Sequence, residues 1–219
     1  MPLRPLLRAS VRALAHLVIR ASYRVDIDGG DQALSCVEGA IVVPRHVSRI
    51  DAPLLMSEAW PYALLTPTVW HAEYEHWLQR PFMRLFDAIP LGSPKALPPE
   101  ERRRRTEETK RRLSEALARG AHLMIFAEGS IGDGVRAEVP PGLSGVYDLL
   151  AAHPGKPLLL IDVRGLERSR FGRAGPKPGP LERLDVRLVI RRFDNVSLDG
   201  GPPVLNARIE RFFNEGAPL

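Results

Sequence analysis

The chain has 219 residues, of which 44% are hydrophobic and 26% are charged, and its formal net charge is +5. This length and composition predict one domain with a substantial core, and the single cysteine, Cys36, excludes an intrachain disulfide. The positive charge favours anionic partners, which include phospholipid surfaces, acidic carrier proteins, coenzyme A and nucleic acid, without choosing among them.

Residues 1–24 have the pattern of a basic amphipathic helix, which is typical of a segment lying in a membrane interface. The apolar positions are Leu3, Leu7, Val11, Leu14, Val18 and Ala21, and the basic positions Arg4, Arg8, Arg12 and Arg20 fall largely on the other side. The same pattern fits a surface helix packed on the protein's own core, and an arginine-rich start also resembles an organellar transit peptide. Arginines interrupt every apolar run well short of about 20 residues, so this segment does not span a membrane.

A histidine and an aspartate follow the next strand. Residues 41–43 form a β-branched run that predicts a buried strand, and Pro53 fits the first turn of a helix. His46 lies on the connecting loop five positions before Asp51, so the carboxylate can orient the imidazole as a general base. Ser48 and Asp51 also fit the spacing of a helix-capping box, and capping and catalysis are compatible.

Aromatic residues are concentrated after this loop. Trp60, Trp70 and Trp77 all lie there, and Trp70, Tyr74, Trp77 and Pro81 are predicted to follow one helix face. Such a face fits headgroups, an acyl-chain groove or plain core packing. His71 and His76 lie in the same segment, but a five-residue spacing turns them to different helix faces, so no metal site is expected.

An arginine-rich helix is predicted after Pro98-Pro99. Three pairs in the favourable order, Glu101 to Arg105, Glu107 to Arg111 and Glu108 to Arg112, predict a solvated helix with salt bridges, and no nucleic-acid partner is expected. Gly120 suits its C-terminal cap.

A second motif follows that helix. Residues 123–126 predict a buried strand, which runs into the glycine-rich turn of residues 127–134. Glu128 at the strand end is placed like a site residue of an open α/β sheet, although a turn with an exposed acid would have the same pattern. Further on, residues 157–163 and 184–190 predict strands, residues 171–180 a loop and residues 203–213 a helix.

The two motifs together resemble those of the glycerolipid acyltransferase family, whose members carry Asn-His-x-Ser-x-x-Asp and, later, Phe-Pro-Glu-Gly-Thr. The matching positions are His46, Ser48, Asp51, Phe126, Glu128, Gly129 and Ser130, with Arg45 and Ala127 replacing the usual asparagine and proline. The resemblance implies an α/β fold with a mixed central sheet flanked by helices, formed by residues 25–219 as a single acyltransferase domain behind the N-terminal helix.

The family's second block departs from its usual pattern in this chain. It commonly carries an arginine thought to grip the acceptor's phosphate, and the best counterpart, residues 87–95, has Ser93 at that position. Lys95 could substitute, without a bidentate grip. The resemblance therefore implies catalytic roles for His46 and Asp51. The substrate-binding residues it implies are Ser48, Ser93, Lys95, Glu128, Gly129 and Ser130.

The implied function is transfer of an acyl chain from acyl-CoA or acyl-carrier protein to a hydroxyl of a lysolipid or related acceptor. No cofactor or metal is expected, and the enzyme would be peripheral, on the cytoplasmic face of a membrane. Two alternatives remain open. One is a serine hydrolase using Ser144, which lacks the usual Gly-x-Ser-x-Gly elbow. The other is a lipid-binding module without turnover.

Overall fold

The computed structural model describes residues 3–30, 33, 39–59, 63–92, 97–179 and 182–219. The strands within this part of the chain are β1 (Tyr23–Asp28), β2 (Ile41–Pro44), β3 (Leu65–Trp70), β4 (Ile89–Leu91), β5 (His122–Met124), β6 (Leu158–Arg164) and β7 (Leu184–Phe193). The helices are α1 (Leu3–Ser22), α2 (Asp51–Glu58), α3 (His71–Tyr74), α4 (Arg80–Leu85), α5 (Pro99–Ala118), α6 (Gly145–Ala152) and α7 (Gly201–Glu215), with a 3₁₀ turn at Leu166–Arg168.

The strands described above form one mixed sheet in the order β1-β7-β6-β2-β5-β3-β4. Strands β6, β2, β5, β3 and β4 run parallel to one another, while β7 pairs antiparallel with β6 and parallel with β1. The carboxyl ends of the five parallel strands therefore meet at one edge of the sheet, where ligands bind in open α/β folds.

Helices cover both faces of this sheet. Successive residues of β2 point to opposite faces, so Val42 enters one hydrophobic cluster while Ile41 and Val43 enter the other. The first cluster includes Leu54 of α2, and the second includes Phe213 of α7. A strand buried on both faces reads as a continuous apolar run, which is why β2 was recognisable in the sequence.

The predicted fold class is confirmed, and so are the strands at β2, β5, β6 and β7 and the helix at α7. The continuous aromatic helix face is wrong, because Trp70 ends β3 and α3 stops at Tyr74 before α4 begins at Arg80. Trp60 and Cys36 lie outside the described residues.

Helix α5 begins and ends as predicted, with Gly120 following it at a φ of 85°. The Glu101–Arg105 ion pair forms at 3.1 Å, but Arg111 pairs with Glu108 and Glu115 in place of Glu107, and the predicted Glu108–Arg112 pair is wrong. Glu108 and Arg111 are three residues apart, and Arg111 and Glu115 are four apart. Side chains at either spacing are neighbours on a helix surface, so both kinds of pair form.

Helix α1 turns its basic side toward the domain and its leucines outward. Arg8 bonds to Asp87 and the Leu85 carbonyl, and Arg20 bonds to the buried Glu58. The outward side chains are exposed by at least half of their surface, and they are Leu6, Leu7, Leu14, Leu17 and Val18. The predicted apolar stripe is therefore exposed at Leu7, Leu14 and Val18, while α1 packs on the protein's own core through Ile19, which is buried. In the described part of the chain, none of the helices combines the length and the hydrophobicity of a transmembrane span.

Candidate active site

The two sequence motifs lie side by side because they follow two neighbouring strands, β2 and β5. Strands β2 and β5 pair in parallel, so the loops that follow them leave the sheet side by side. The His46 amide donates a hydrogen bond to Glu128 Oε1 at 2.5 Å, and the Gly132 amide donates to the His46 carbonyl at 2.8 Å. The two motifs, about eighty residues apart in sequence, form one site.

His46 and Asp51 are in direct contact. His46 Nδ1 lies 3.0 Å from Asp51 Oδ2, which also accepts hydrogen bonds from the Val47 and Ser48 amides at 2.7 and 2.8 Å. Burial raises the pKa of the Asp51 carboxyl, and its bonds from His46, Ser48 and Val47 oppose that rise. Because three donors meet on one oxygen, they favour the ionised carboxylate over the protonated acid. They also hold that oxygen against the imidazole.

The capping-box alternative is only partly realised. The N-cap of α2 is Ile50, and no side chain caps it. Asp51 instead reaches back to the loop amides, so the same carboxylate fixes the loop and orients His46.

The imidazole is held in one orientation. Its ring stacks on Phe126, with centroids 4.0 Å apart and planes at 28°, and 19% of the His46 side chain remains exposed. Because Nδ1 faces Asp51, Nε2 is the ring nitrogen left for a substrate.

Glu128 packs against the backbone of the loop that carries His46, here called the histidine loop (residues 45–50). It is 6% exposed and does not line the cavity that His46 faces. Burial raises the pKa of Glu128 to about 7, against the opposing effects of the His46 amide and the positive charge of Arg45. The alternative of a turn with an exposed acid is therefore wrong, and Glu128 holds the backbone of His46 in place.

His46 opens into a cavity of about 370 Å³, here called the His46 cavity. An almost entirely apolar cavity of about 280 Å³, the apolar slot, adjoins it and continues toward α1. The residues that line both are Ala52, Pro53, Val69, Phe82 and Met83. At the far end of the slot, the Arg12 guanidinium lies 5.2 Å from the centre of the Phe86 ring.

The other predicted substrate-binding residues are placed differently. Ser48 is fully buried, and its hydroxyl bonds to that of Ser169 at 2.8 Å, so it braces the histidine loop. Gly129 lines the His46 cavity, whereas Ser130 is exposed and does not line it. Ser93 and Lys95 lie outside the described residues.

Arg45, which replaces the family's asparagine, is buried between strands. Its Nη1 lies 3.6 Å from Asp162 Oδ1 on β6, and its Nη2 donates to the Gly134 carbonyl at 3.2 Å. Arg45 therefore ties the histidine loop to the adjacent strand and to the loop of residues 127–136, here called the Glu128 loop. A buried ion pair between distant residues leaves no local pattern in a sequence.

Arg49 is a site residue that sequence reasoning missed. Its exposed side chain lines the His46 cavity, and the structure records no hydrogen bond or ion pair for that side chain among the described residues. Arg49 occupies one of the x positions of the first motif, so the motif itself assigns it no role. Its place in the chain between His46 and Asp51 was the only sequence signal for it.

The serine-hydrolase alternative lacks its machinery. Ser144 directs its hydroxyl to Asp148 Oδ2 at 3.0 Å, and it does not line the His46 cavity. No histidine contacts Ser144 among the described residues, so nothing there would deprotonate it.

The mixed sheet and the His46–Asp51 contact beside an apolar slot are the arrangement that the resemblance to glycerolipid acyltransferases leads us to expect. The sequence model of the acyltransferase family matches residues 25–156, which is more than half of the chain. The chain therefore belongs to the acyltransferase family, and the predicted class of O-acyltransferase is confirmed.

The fold is similar to the crystal structure of the 1-acyl-sn-glycerophosphate acyltransferase PlsC from Thermotoga maritima, with a TM-score of 0.67 and 19% sequence identity. The match covers 99% of this chain and 82% of the Thermotoga chain. A search of curated protein sequences gave no match.

Proposed function

We propose that the enzyme transfers a fatty acyl chain from an acyl thioester, carried by coenzyme A or acyl-carrier protein, to a hydroxyl of a lysolipid at a membrane surface. The observation that carries the proposal is the His46–Asp51 contact at the mouth of an apolar slot. The dyad supplies a base for the hydroxyl, and the slot offers an environment suited to an alkyl chain, since burying each methylene yields about 0.8 kcal/mol.

The dyad supports a direct transfer. His46 Nε2 removes the proton from the acceptor hydroxyl, and the oxygen attacks the thioester carbonyl carbon to form a new C–O bond. Collapse of the tetrahedral intermediate breaks the C–S bond, and the thiolate takes the proton back from His46. The products are an ester and a free thiol. Asp51 stabilises the imidazolium between the two steps, in the manner of a serine-protease triad whose serine is replaced by the substrate hydroxyl.

Arg49 supports a phosphate-bearing acceptor. The usual arginine of the second motif block is replaced by Ser93, so a phosphate-bearing acceptor would need another cation. Arg49 lines the same cavity as His46, and a guanidinium binds phosphate oxygens with two parallel hydrogen bonds. The name of the Thermotoga enzyme, a 1-acyl-sn-glycerophosphate acyltransferase, agrees with such an acceptor.

A panel of acceptors tests this proposal. With labelled acyl-CoA or acyl-carrier protein, we expect wild-type enzyme to acylate phosphate-bearing lysolipids in preference to neutral monoacylglycerol. Arg49→Ala should raise KM for the phosphate-bearing acceptors roughly tenfold or more and leave the neutral one unchanged, because one charge-assisted contact is lost. Arg103→Ala, an exposed arginine of α5 outside the cavity, is the matched control. Failure to acylate any lysolipid with either donor would contradict the proposed function.

The outer face of α1 supports peripheral attachment to a membrane. Its leucines are exposed while its arginines bond inward, which is the reverse of a surface helix in water. Leu7 of α1 and Phe82 of α4 line one shallow cavity, so the exposed apolar surface continues onto α4. The apolar slot lies directly behind these two helices.

Replacing Leu17, which is 68% exposed, tests the attachment. We expect Leu17→Glu to weaken binding to lipid vesicles about tenfold. The change removes a leucine that the membrane interface would bury, and it adds a charge there. Val135→Glu, at a residue 83% exposed on the Glu128 loop, is the control and should bind vesicles like wild type. Equal loss in both variants, or in neither, would contradict this orientation of α1.

A further inference from the structure

A second large cavity lies at the opposite edge of the sheet from His46. It has a volume of about 800 Å³, and it lies between α1, the α4–β4 turn and the C-terminal half of α5. Its floor includes Leu65 and His122, the first residues of β3 and β5. We infer that this cavity, here called the arginine cavity, is an anion-binding site for a phosphate ester, separate from the catalytic site.

The charge of the lining is strongly one-sided. Its arginines are Arg4, Arg8, Arg12, Arg84, Arg112 and Arg119. Two carboxylates face them: Asp87 pairs with Arg4 and Arg8, and Glu115 lies 3.9 Å from Arg119 while also bonding to Arg111. Six guanidiniums against two carboxylates leave the cavity with four positive charges in excess.

Two of these arginines face the cavity without a carboxylate bonded to them. Among the described residues, no hydrogen bond or ion pair is recorded for the side chains of Arg84 and Arg112. They come from two separate helices, α4 and α5, that both line the cavity. Because the two groups belong to separate elements of the fold, an anion between them can receive hydrogen bonds from both.

A third arginine is held in place by burial. Arg12 is 6% exposed and lies over the Phe86 ring, and burial lowers its pKa, with a further lowering from the charge of Arg8. Keeping charged guanidiniums buried and close together costs free energy, and a bound anion would reduce that cost. A cleft lined by charges of one sign raises the local concentration of oppositely charged ions, here anions.

The arginine cavity is distinct from the site of acyl transfer. It shares no lining residue with the His46 cavity, and it meets the apolar slot only at the end farthest from His46, where Arg12 and Phe86 line both. The two open at opposite ends of β3, whose six residues span roughly 17–20 Å. A phosphate in the arginine cavity is therefore not the phosphate of the reacting acceptor, and this inference does not depend on the proposed reaction.

Phosphate esters fit this lining for a chemical reason. The planar guanidinium matches two phosphate oxygens, and the volume exceeds what inorganic phosphate needs, so a larger ester fits. Two sources offer this chemistry: the headgroup of an anionic phospholipid, reached beside α1, and the phosphates of a soluble nucleotide such as coenzyme A.

Paired variants separate a built site from general basicity. Arg84→Ala/Arg112→Ala removes two cavity arginines, and Arg102→Ala/Arg103→Ala removes two exposed arginines of α5 that do not line the cavity. Binding of pyrophosphate and of coenzyme A would be measured by calorimetry at low salt, and binding to phosphatidylglycerol vesicles by flotation. Thermal melting of all proteins checks that each variant is folded.

We expect the cavity variant to lose at least about tenfold in affinity for one of these probes while the control stays within about twofold of wild type. Selective loss with pyrophosphate or coenzyme A assigns a soluble ligand, and selective loss with vesicles alone assigns a lipid headgroup. Equal affinities of the two variants for every probe would overturn the inference, since the anion binding would then reflect net charge alone.

Discussion

Replacing His46 with alanine should lower kcat for acyl transfer by about 10³-fold, within the 10²- to 10⁴-fold range that a general base contributes. The acceptor hydroxyl would then have no base within reach, while the apolar slot and Arg49 would still bind substrate. We therefore expect KM to change much less than kcat. Steady-state transfer of a labelled acyl chain to a lysolipid measures both constants.

The loop geometry makes His46→Ala a clean test. The bonds that fix the loop involve the backbone of residue 46, whose amide donates to Glu128 and whose carbonyl accepts from Gly132. Alanine keeps both bonds and loses only the ring stacked on Phe126. His76→Ala, which removes an exposed histidine, is the matched control and should keep wild-type kcat. A folded His46→Ala enzyme with wild-type kcat would exclude His46 as the base.

Replacing Asp51 with asparagine should lower kcat by roughly 10³- to 10⁴-fold, as the equivalent change does in a serine-protease triad. The asparagine carbonyl can still accept from the Val47 and Ser48 amides, so the loop persists. The same oxygen can still accept Nδ1–H from His46. The neutral amide carries no negative charge, so it stabilises much less the imidazolium that forms when His46 takes the substrate proton.

The double variant shows whether the two residues act as one unit. If Asp51 works only through His46, then His46→Ala/Asp51→Asn should be no slower than His46→Ala alone. Losses that multiply would show that Asp51 contributes independently of the imidazole. Melting temperatures close to wild type are needed for this comparison, because Asp51 is fully buried.

The central strands and the dyad could be predicted because each has a local cause. Strand β2 is a continuous apolar run because it is buried on both faces, and five residues bring the Asp51 carboxylate back to His46 through a single loop. The structure brings the two motifs together because β2 and β5 are parallel and present their carboxyl ends at the same edge of the sheet.

Features that depend on distant residues could not be predicted. Periodicity gave α1 two faces, but only packing against Glu58 and Asp87 decides that the arginines face inward. The Arg45–Asp162 pair joins two strands and leaves no trace in either segment. The motif predicts that Ser48 binds substrate, but it gives no sign that the Ser48 hydroxyl bonds to Ser169. Ser169 lies far along the chain, in the region before β7.

Rapid-quench analysis of enzyme mixed with labelled acyl thioester, with and without lysolipid, tests the central claim most directly. Direct transfer predicts that thiol is released and ester forms together, only when the acceptor is present, and that neither occurs with His46→Ala. No label should remain attached to protein at any time. A labelled acyl-protein that forms without acceptor, or thioester cleavage at an equal rate without lysolipid, would contradict a direct transfer by His46 and Asp51.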